Sequence, residues 1–165
     1  MRRFLILFTF AILRLGGCTE SRQPTHVDVS PNMEHVVTAL RGAYAAFNRG
    51  DMTAAVEPLD AEIEWREPAE FPRGGTYHGR DGVKKYRTPS RVRLGRGKQR
   101  TGAVYHCWQR IVVFVRPRVR PEGSNHGQDV SLADVYTVRN GRVVEMQAFA
   151  DRQEALRWAE AERDR

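Results

Sequence analysis

The sequence has few of the residue patterns that build metal centres, phosphate-binding loops or nucleophilic active sites. It has two cysteines and five histidines among 165 residues, and neither type recurs at the paired spacing that zinc and iron sites use. It has no glycine-rich phosphate loop and no serine elbow. We therefore expect no metal and no other cofactor. The scattered histidines are His26, His35, His78, His106 and His126.

Long apolar runs are also lacking. The run from Phe4 to Leu13, preceded by two arginines, is too short to cross a bilayer but has the length of a signal-peptide core. It ends on Leu15-Gly16-Gly17-Cys18, which resembles a bacterial lipoprotein cleavage box, where the cysteine is acylated. The resemblance implies lipidation of Cys18, which would be the protein's only contact with a membrane.

The expected organisation follows from this signal. Residues 1–18 are a signal segment of lipoprotein type, 19–32 a polar linker and 33–165 one domain. The protein would be exported and membrane-tethered. Arg14, a charge directly after Leu13, counts against this interpretation because it weakens insertion. In the alternative, translation starts at Met33 and the protein is cytoplasmic. The settings of Cys18 and Cys107 differ too much to indicate a disulfide framework.

The positive charge of the chain is concentrated in one segment. Twelve of the 27 Lys and Arg residues lie between Lys84 and Arg120, where there is no acid, so the rest of the chain is net acidic although the whole carries +7. The part from Arg87 to Trp108 is the least typical of a folded domain. Three interpretations stay open for this segment: a solvated loop, an anion-binding segment or the product of a reading-frame error. Because aromatics are not interleaved with the basic residues, a nucleic-acid partner is not expected.

Helices and strands are predicted from capping residues and periodicity. Ser30-Pro31 starts a helix whose apolar stripe ends at Gly50. A short helix from Met52 to about Glu57 and one from about Arg80 to Tyr86, ending before Pro89, follow. A C-terminal helix begins at Asp151, which we assign to capping because Glu154 completes a capping box.

Strands are predicted at 62–67, 111–115, 129–138 and 142–150, the last two joined by an Asn140-Gly141 hairpin turn. The loop from Pro68 to Gly75 contains two prolines and two glycines. This order predicts an α+β fold, with three to four helices on one face of a curved, mostly antiparallel sheet.

Three stretches are similar in order and spacing to SnoaL-like proteins of the nuclear transport factor 2-like superfamily, which includes polyketide cyclases and, more distantly, ketosteroid isomerases. They read AYAAFNRGDMTAAVEPLDAEIEWREP, YHGRDGVKKY and LADVYTVRNGRVVEMQAFADRQEAL. The resemblance implies a cone-shaped half-barrel around a central pocket that holds a small apolar or polyketide-like molecule, and a homodimer. It implies less about activity, because function is a property of the site and not of the fold.

Matched to the ketosteroid isomerases, the resemblance places the oxyanion-binding aspartic acid on Asp134 and the catalytic base on Glu67 or, by another count, on Trp65. The oxyanion tyrosine of helix 1 falls on Ala43, so half of that hydrogen-bonding pair is missing. From the residues alone, Asp134 shares a strand face with apolar neighbours, which favours either a paired acid or a protonated one.

The candidate catalytic residues are Asp134, Glu67 and His78, and each has a structural alternative. Asp134 could face outward or form an ion pair, Glu67 could be a solvated strand end, and His78 could be a hydrogen-bonding group at a helix start. Candidate ligand-binding residues, which are equally well explained as core, are Tyr44, Trp65, Tyr86, Tyr136 and Met146.

Three functions stay open on this basis, the third being an anionic-polymer binder that works through the Arg-rich segment. The first is a domain that binds a small apolar molecule and acts on it by acid–base chemistry of the isomerase, cyclase or hydrolase type. The second is a non-catalytic binding or dimerisation module, tethered to a membrane by lipid. The sequence does not decide whether the chain is an enzyme.

Overall fold

The computed structural model describes residues 19–20, 31–71, 73–93, 98–119 and 126–161. The helices are α1 (Pro31–Arg49), α2 (Met52–Ala55), α3 (Gly79–Arg93) and α4 (Arg152–Ala161). The strands are β1 (Thr19–Glu20), β2 (Leu59–Glu67), β3 (Gly75–His78), β4 (Arg100–Cys107), β5 (Arg110–Arg116), β6 (Arg118–Val119), β7 (Gln128–Asp129), β8 (Leu132–Arg139) and β9 (Arg142–Phe149). None of the described helices is both long enough and apolar enough to cross a bilayer.

One curved, open sheet has the strand order β1-β4-β5-β8-β9-β2-β3, and β6 pairs separately with β7. All neighbours in the large sheet are antiparallel except β2 and β9, which run parallel. The β8–β9 hairpin turns at Asn140 (φ 50°) and Gly141 (φ 73°). Two positive φ values are what a two-residue hairpin turn of this type requires, so the predicted turn is confirmed.

Helix α1 covers one face of the sheet, which we call the inner face. Its buried stripe of Val36, Leu40 and Tyr44 packs against inner-face residues that include Ile111 and Val113. These helix positions recur every three or four residues, so they share one side of the helix. The amphipathic pattern in the sequence therefore predicts this contact correctly.

Helix α4 lies on the opposite, outer face, which corrects the expectation that the helices share one face. Ala155 and Ala159 of α4 join a second core cluster with Val112 of β5 and Val135 of β8. The run 111–115 is buried throughout because alternate residues face α1 and α4. Asp151 caps α4 by accepting a 2.7 Å hydrogen bond from the Glu154 amide.

Helix α3 runs through Pro89 to Arg93, so its predicted end before Pro89 is wrong. Pro89 cannot donate to the carbonyl one turn back. On either side of it, the Thr88 hydroxyl donates to the Lys84 carbonyl at 2.8 Å and the Ser90 hydroxyl to the Tyr86 carbonyl at 3.0 Å. Burial of Val83, Tyr86 and Arg87 supplies the packing that holds the helix together here.

The segment 87–108 is largely regular structure, so reading it as a solvated loop is wrong for its described part. Residues 87–93 finish α3, and Arg100–Cys107 form β4, which pairs with β5. Residues 94–97 lie outside the described ranges. Val104 and Cys107 are buried on opposite faces, which is the two-residue period of a strand within a sheet.

Cys107 is disulfide-bonded, which corrects the expectation of no disulfide framework. The chain has one other cysteine, Cys18, which lies outside the described residues. An intrachain bond from Cys107 can use only the sulfur of Cys18, the same atom that the lipoprotein prediction acylates. The signal segment 1–18 and most of the linker also lie outside the described ranges.

Candidate functional site

Two neighbouring rows of side chains on the inner face carry the candidate residues. In one row, sheet pairing places Met146 of β9 between Tyr136 of β8 and Trp65 of β2. The next row consists of Asp134, Ala148 and Glu67. Asp134 of β8 pairs with Ala148 of β9. Glu67 of β2 flanks Ala148 on the opposite side, because it follows Arg66, which pairs with Gln147. The small side chain of Ala148 therefore separates the two carboxyl-bearing positions in this row.

Asp134 points into the protein and meets two tyrosines. It is 5% exposed, and its Oδ2 accepts a 2.5 Å hydrogen bond from the Tyr44 hydroxyl and a 3.4 Å one from Tyr136. The two tyrosine hydroxyls are 2.6 Å apart. Tyr44 comes from α1 and the other two from β8, so the group joins helix to sheet.

Tyr44 supplies a helix 1 hydroxyl that the family match did not predict. The resemblance aligned the family's tyrosine with Ala43, which is only partly buried. Tyr44, the next residue, is buried and lies on the side of α1 that faces the sheet. A shift of one residue turns a side chain by about 100° around a helix. A tyrosine and an aspartic acid therefore meet here despite the apparent departure.

Burial is the main influence on the ionisation of this group. It raises the pKa of Asp134, while the hydrogen bonds from both tyrosines and the positive charge of Arg87 act in the opposite direction. Burial and then the charge of Asp134 raise the pKa of Tyr44 and of Tyr136 well above the ordinary value. The tyrosines are therefore neutral hydrogen-bond donors throughout the physiological pH range.

Glu67 is partly buried beside the same group. Its Oε1 accepts a 2.7 Å hydrogen bond from the Trp65 indole, and the Tyr86 hydroxyl also bonds to it. Burial, and next the charge of Asp134, raise the pKa of Glu67 to about 7, although the bonds from Trp65 and Tyr86 and the charge of Arg87 lower it. A carboxyl group with this pKa can take up and release a proton near neutral pH.

Arg87 is the site residue that the sequence analysis missed. It is 8% exposed, and its guanidinium lies 4.1 Å from the Phe47 ring centre and 5.0 Å from that of Trp65. Its Nη2 donates to Gln99 Oε1 at 3.3 Å, and its Nε is buried without a partner. One signal in the sequence could have identified it. Arg87 follows Val83 by four residues, so the two share one side of α3, and both are buried.

A cavity of about 10 Å³ lies between these elements, which is room for roughly one water molecule. Any larger molecule needs the surrounding side chains to rearrange. The cavity lining combines apolar side chains of α1, α2 and β2 with two tyrosines, one tryptophan and one arginine. It consists of Leu40, Ala43, Tyr44, Ala55, Leu59, Trp65, Arg87 and Tyr136.

Three of the five candidate ligand-binding residues line this cavity, namely Tyr44, Trp65 and Tyr136. Met146 is fully buried in the sheet row between Trp65 and Tyr136. Tyr86 is 8% exposed and stacks on Tyr77 with ring centres 4.4 Å apart.

His78 stays outside the group. It is exposed at the end of β3 and pairs with Glu64, whose side chain alternates with the inward-facing Ile63 and Trp65 along β2. In the described ranges, no three His, Cys, Asp or Glu side chains are grouped so that they could hold a metal ion.

The SnoaL-like domain family matches residues 40–146, well over half of the chain. The chain belongs to the SnoaL-like domain family. The match runs through 87–108, which none of the three quoted stretches covers. No curated protein matches significantly.

Solved structures share the fold of this SnoaL-like chain. Bal32a, from a soil-derived mobile gene cassette, is 25% identical with a TM-score of 0.62, over 71% of this chain and 89% of its own. An NTF2-like protein of unknown function from Burkholderia pseudomallei is 24% identical with a TM-score of 0.60, over 74% and 95%. SalBIII, described as an epoxide hydrolase/cyclase-like enzyme in salinomycin pyran-ring formation, is 15% identical with a TM-score of 0.58, over 71% and 91%.

Proposed function

We propose that this SnoaL-like domain binds a small, mainly apolar carbonyl compound and moves a proton on it. Glu67 is the base, and Asp134 with Tyr44 and Tyr136 forms the group that receives the carbonyl oxygen. The observation that carries the proposal is the pair of interior carboxyl groups on either side of Ala148, both with pKa values raised by burial.

Glu67 fits the role of base because its pKa is about 7. A base is most effective when its pKa lies near the working pH, because it is then ionised and still basic enough to take a proton from carbon. The Trp65 indole, which donates to Oε1 at 2.7 Å, and the Tyr86 hydroxyl hold the carboxylate in place.

The Asp134 group fits the role of oxyanion partner. When a base removes a proton beside a carbonyl, negative charge collects on the carbonyl oxygen, and buried donors aimed at that oxygen lower the barrier. Tyr44 and Tyr136 each carry one hydroxyl proton, and a protonated Asp134 adds a third donor, as a buried aspartic acid does in ketosteroid isomerase. The carbonyl oxygen would take the place that one of these oxygens now occupies as acceptor.

Apolar and polyketide-like compounds are the proposed ligand class, because the cavity walls are mostly aliphatic and aromatic. SalBIII, which has the same fold, is described as epoxide hydrolase/cyclase-like, and this supports acid–base chemistry as the kind of reaction to test. A non-catalytic binding or dimerisation module is the second candidate, and its dimerisation form is favoured by the small volume of the cavity, which holds about one water molecule.

The test follows hydrogen–deuterium exchange at the carbon beside the carbonyl of 2-tetralone in D₂O by proton NMR. We expect the unmodified protein to accelerate exchange, Glu67→Gln to lower the rate by about 10²–10⁴, and Asp134→Asn by about 10². His78→Gln, which changes an exposed candidate, is the matched control and should leave the rate unchanged. Exchange no faster than in buffer, or undiminished in Glu67→Gln, would favour the non-catalytic domain.

Two further proposals concern the setting of the domain. We propose that the mature chain is exported and held at the membrane through a lipid on Cys18, in molecules where that sulfur is not bonded to Cys107, and that two copies form a homodimer. The lipoprotein-like sequence before Cys18 supports the first and the family resemblance the second. Sedimentation analysis of the protein tests the dimer, because a monomer at micromolar concentration would contradict it.

A further inference from the structure

Arg87 has fewer partners than a buried arginine needs. A guanidinium has five N–H donors and keeps its charge at every physiological pH. Within the described residues, Arg87 makes one hydrogen bond, the 3.3 Å contact from Nη2 to Gln99, and its buried Nε makes none. Buried charges are normally paired, because an unpaired one loses its hydration without compensation.

The nearby carboxyl groups do not fill this need. Asp134 and Glu67 feel the charge of Arg87, but neither forms a salt bridge with it within the described part of the chain. Instead, the guanidinium lies against the rings of Phe47 and Trp65. Such ring contacts stabilise a cation but use none of its N–H donors.

The position of Arg87 also points to a ligand. Its side chain lines the cavity together with Tyr44, Tyr136 and Trp65. A planar guanidinium presents paired N–H groups that match the two oxygens of a carboxylate. The rings on which it rests would lie beside an apolar or aromatic body attached to that carboxylate.

We infer that Arg87 is an anion-binding residue of the site, so that the ligand is an apolar or aromatic compound carrying a carboxylate. The carboxylate takes the N–H donors of Arg87, and the apolar body lies along Trp65 and Leu40. This inference rests on the proposed function, which has a small molecule entering the interior. It adds that this molecule is negatively charged.

The test compares two probes of the same shape, 2-naphthoate and the neutral 2-naphthamide, by isothermal titration calorimetry. We expect the unmodified protein to bind 2-naphthoate about tenfold more tightly or better, since hydrogen bonds to charged groups are the stronger ones. This comparison depends on no variant folding correctly. Equal affinities for acid and amide would overturn the inference.

Variants then assign the preference to one side chain. Arg87→Gln should abolish the preference for the acid, and Arg87→Lys, which keeps the charge but not the planar fork, should retain part of it. Lys85→Gln removes the same charge from the exposed side of α3 and should change nothing. Persistence of the full preference in a folded Arg87→Gln protein would show that another residue binds the acid.

Glu67→Gln separates this inference from the proposed function. The variant should lose exchange of 2-tetralone but bind 2-naphthoate at least as tightly, because a negative charge near the anion is removed. If exchange fails in every protein while the acid preference depends on Arg87, the site binds anions without catalysis. Weaker naphthoate binding in Glu67→Gln would contradict the proposed anion site.

Discussion

Tyr44 of α1 donates a 2.5 Å hydrogen bond to Asp134 of β8, across 90 residues of sequence. Both side chains are buried, at 5% exposure each. The bond links the first helix to the middle of the sheet and holds the carboxyl group on the inner face. The proposed catalytic role of the inner face depends on this pair, because Tyr44 and Asp134 both belong to the group that would receive the carbonyl oxygen.

Tyr44→Phe should destabilise the domain. The change removes the hydroxyl and leaves the buried Asp134 oxygen with the 3.4 Å contact from Tyr136 alone. Loss of one partner of a buried hydrogen bond costs about 1–3 kcal/mol, and chemical denaturation measures it. Tyr105→Phe is the control, since its ring packs against Phe114 on the outer face. An equal, small effect of both substitutions would show that the Tyr44 bond adds no stability.

Glu67→Gln should make the protein more stable than the unmodified one at alkaline pH. Folding raises the pKa of Glu67 from 4.5 to about 7, so the folded protein holds this proton over a range where the unfolded chain has lost it. The associated stability is complete below pH 4.5 and is lost as the pH rises through 7.

Glu67→Gln does not lose this stability as the pH rises. The difference in free energy of unfolding between variant and unmodified protein should therefore grow between pH 4.5 and 7 and level off at about 1–3 kcal/mol by pH 8. Urea denaturation at several pH values measures it. Glu62→Gln, an exposed change on the same strand, should show no such trend. A constant difference at all pH values would contradict the raised pKa of Glu67.

Trp65→Phe should move the titration of Glu67 upward. The indole N–H donates to Glu67 Oε1 at 2.7 Å and lowers the pKa of that carboxyl. Without the donor, the charged form loses a partner, and the midpoint should rise above 7 by about one pH unit. The pH dependence of 2-tetralone exchange and of stability both report it. Trp158→Phe, on the outer face against Phe149, should leave the midpoint in place.

Cys18 decides between a lipid anchor and a disulfide, because one sulfur atom cannot form both. If the lipoprotein prediction holds, labelled palmitate enters the full-length chain in a bacterial host. The label and membrane association are then lost in Cys18→Ser and kept in Cys107→Ser. A mass that rises by two hydrogens on reduction would instead indicate the disulfide that Cys107 forms in the structure. Unchanged membrane association of Cys18→Ser would contradict the anchor.

Much of the fold follows from local signals in the sequence. The Asn140-Gly141 turn, the Asp151 cap and the apolar stripe of α1 are each set by residues close together in the chain, and the structure confirms them. The end of α3 was misjudged because Pro89 is a strong local breaker, whereas burial of Tyr86 and Arg87 is a tertiary effect.

The sequence by itself determined the fold family and marked Asp134 and Glu67 as candidates, because strand alternation and family spacing limit which positions can face a core. Whether either side chain faced inward stayed open. Only the tertiary structure decided that Tyr44 rather than position 43 reaches Asp134, that α4 covers the outer face, and that Arg87 is buried beside Trp65. These contacts join residues far apart in the chain. They depend on how helices rotate and pack on a curved sheet, which no local pattern of residues encodes.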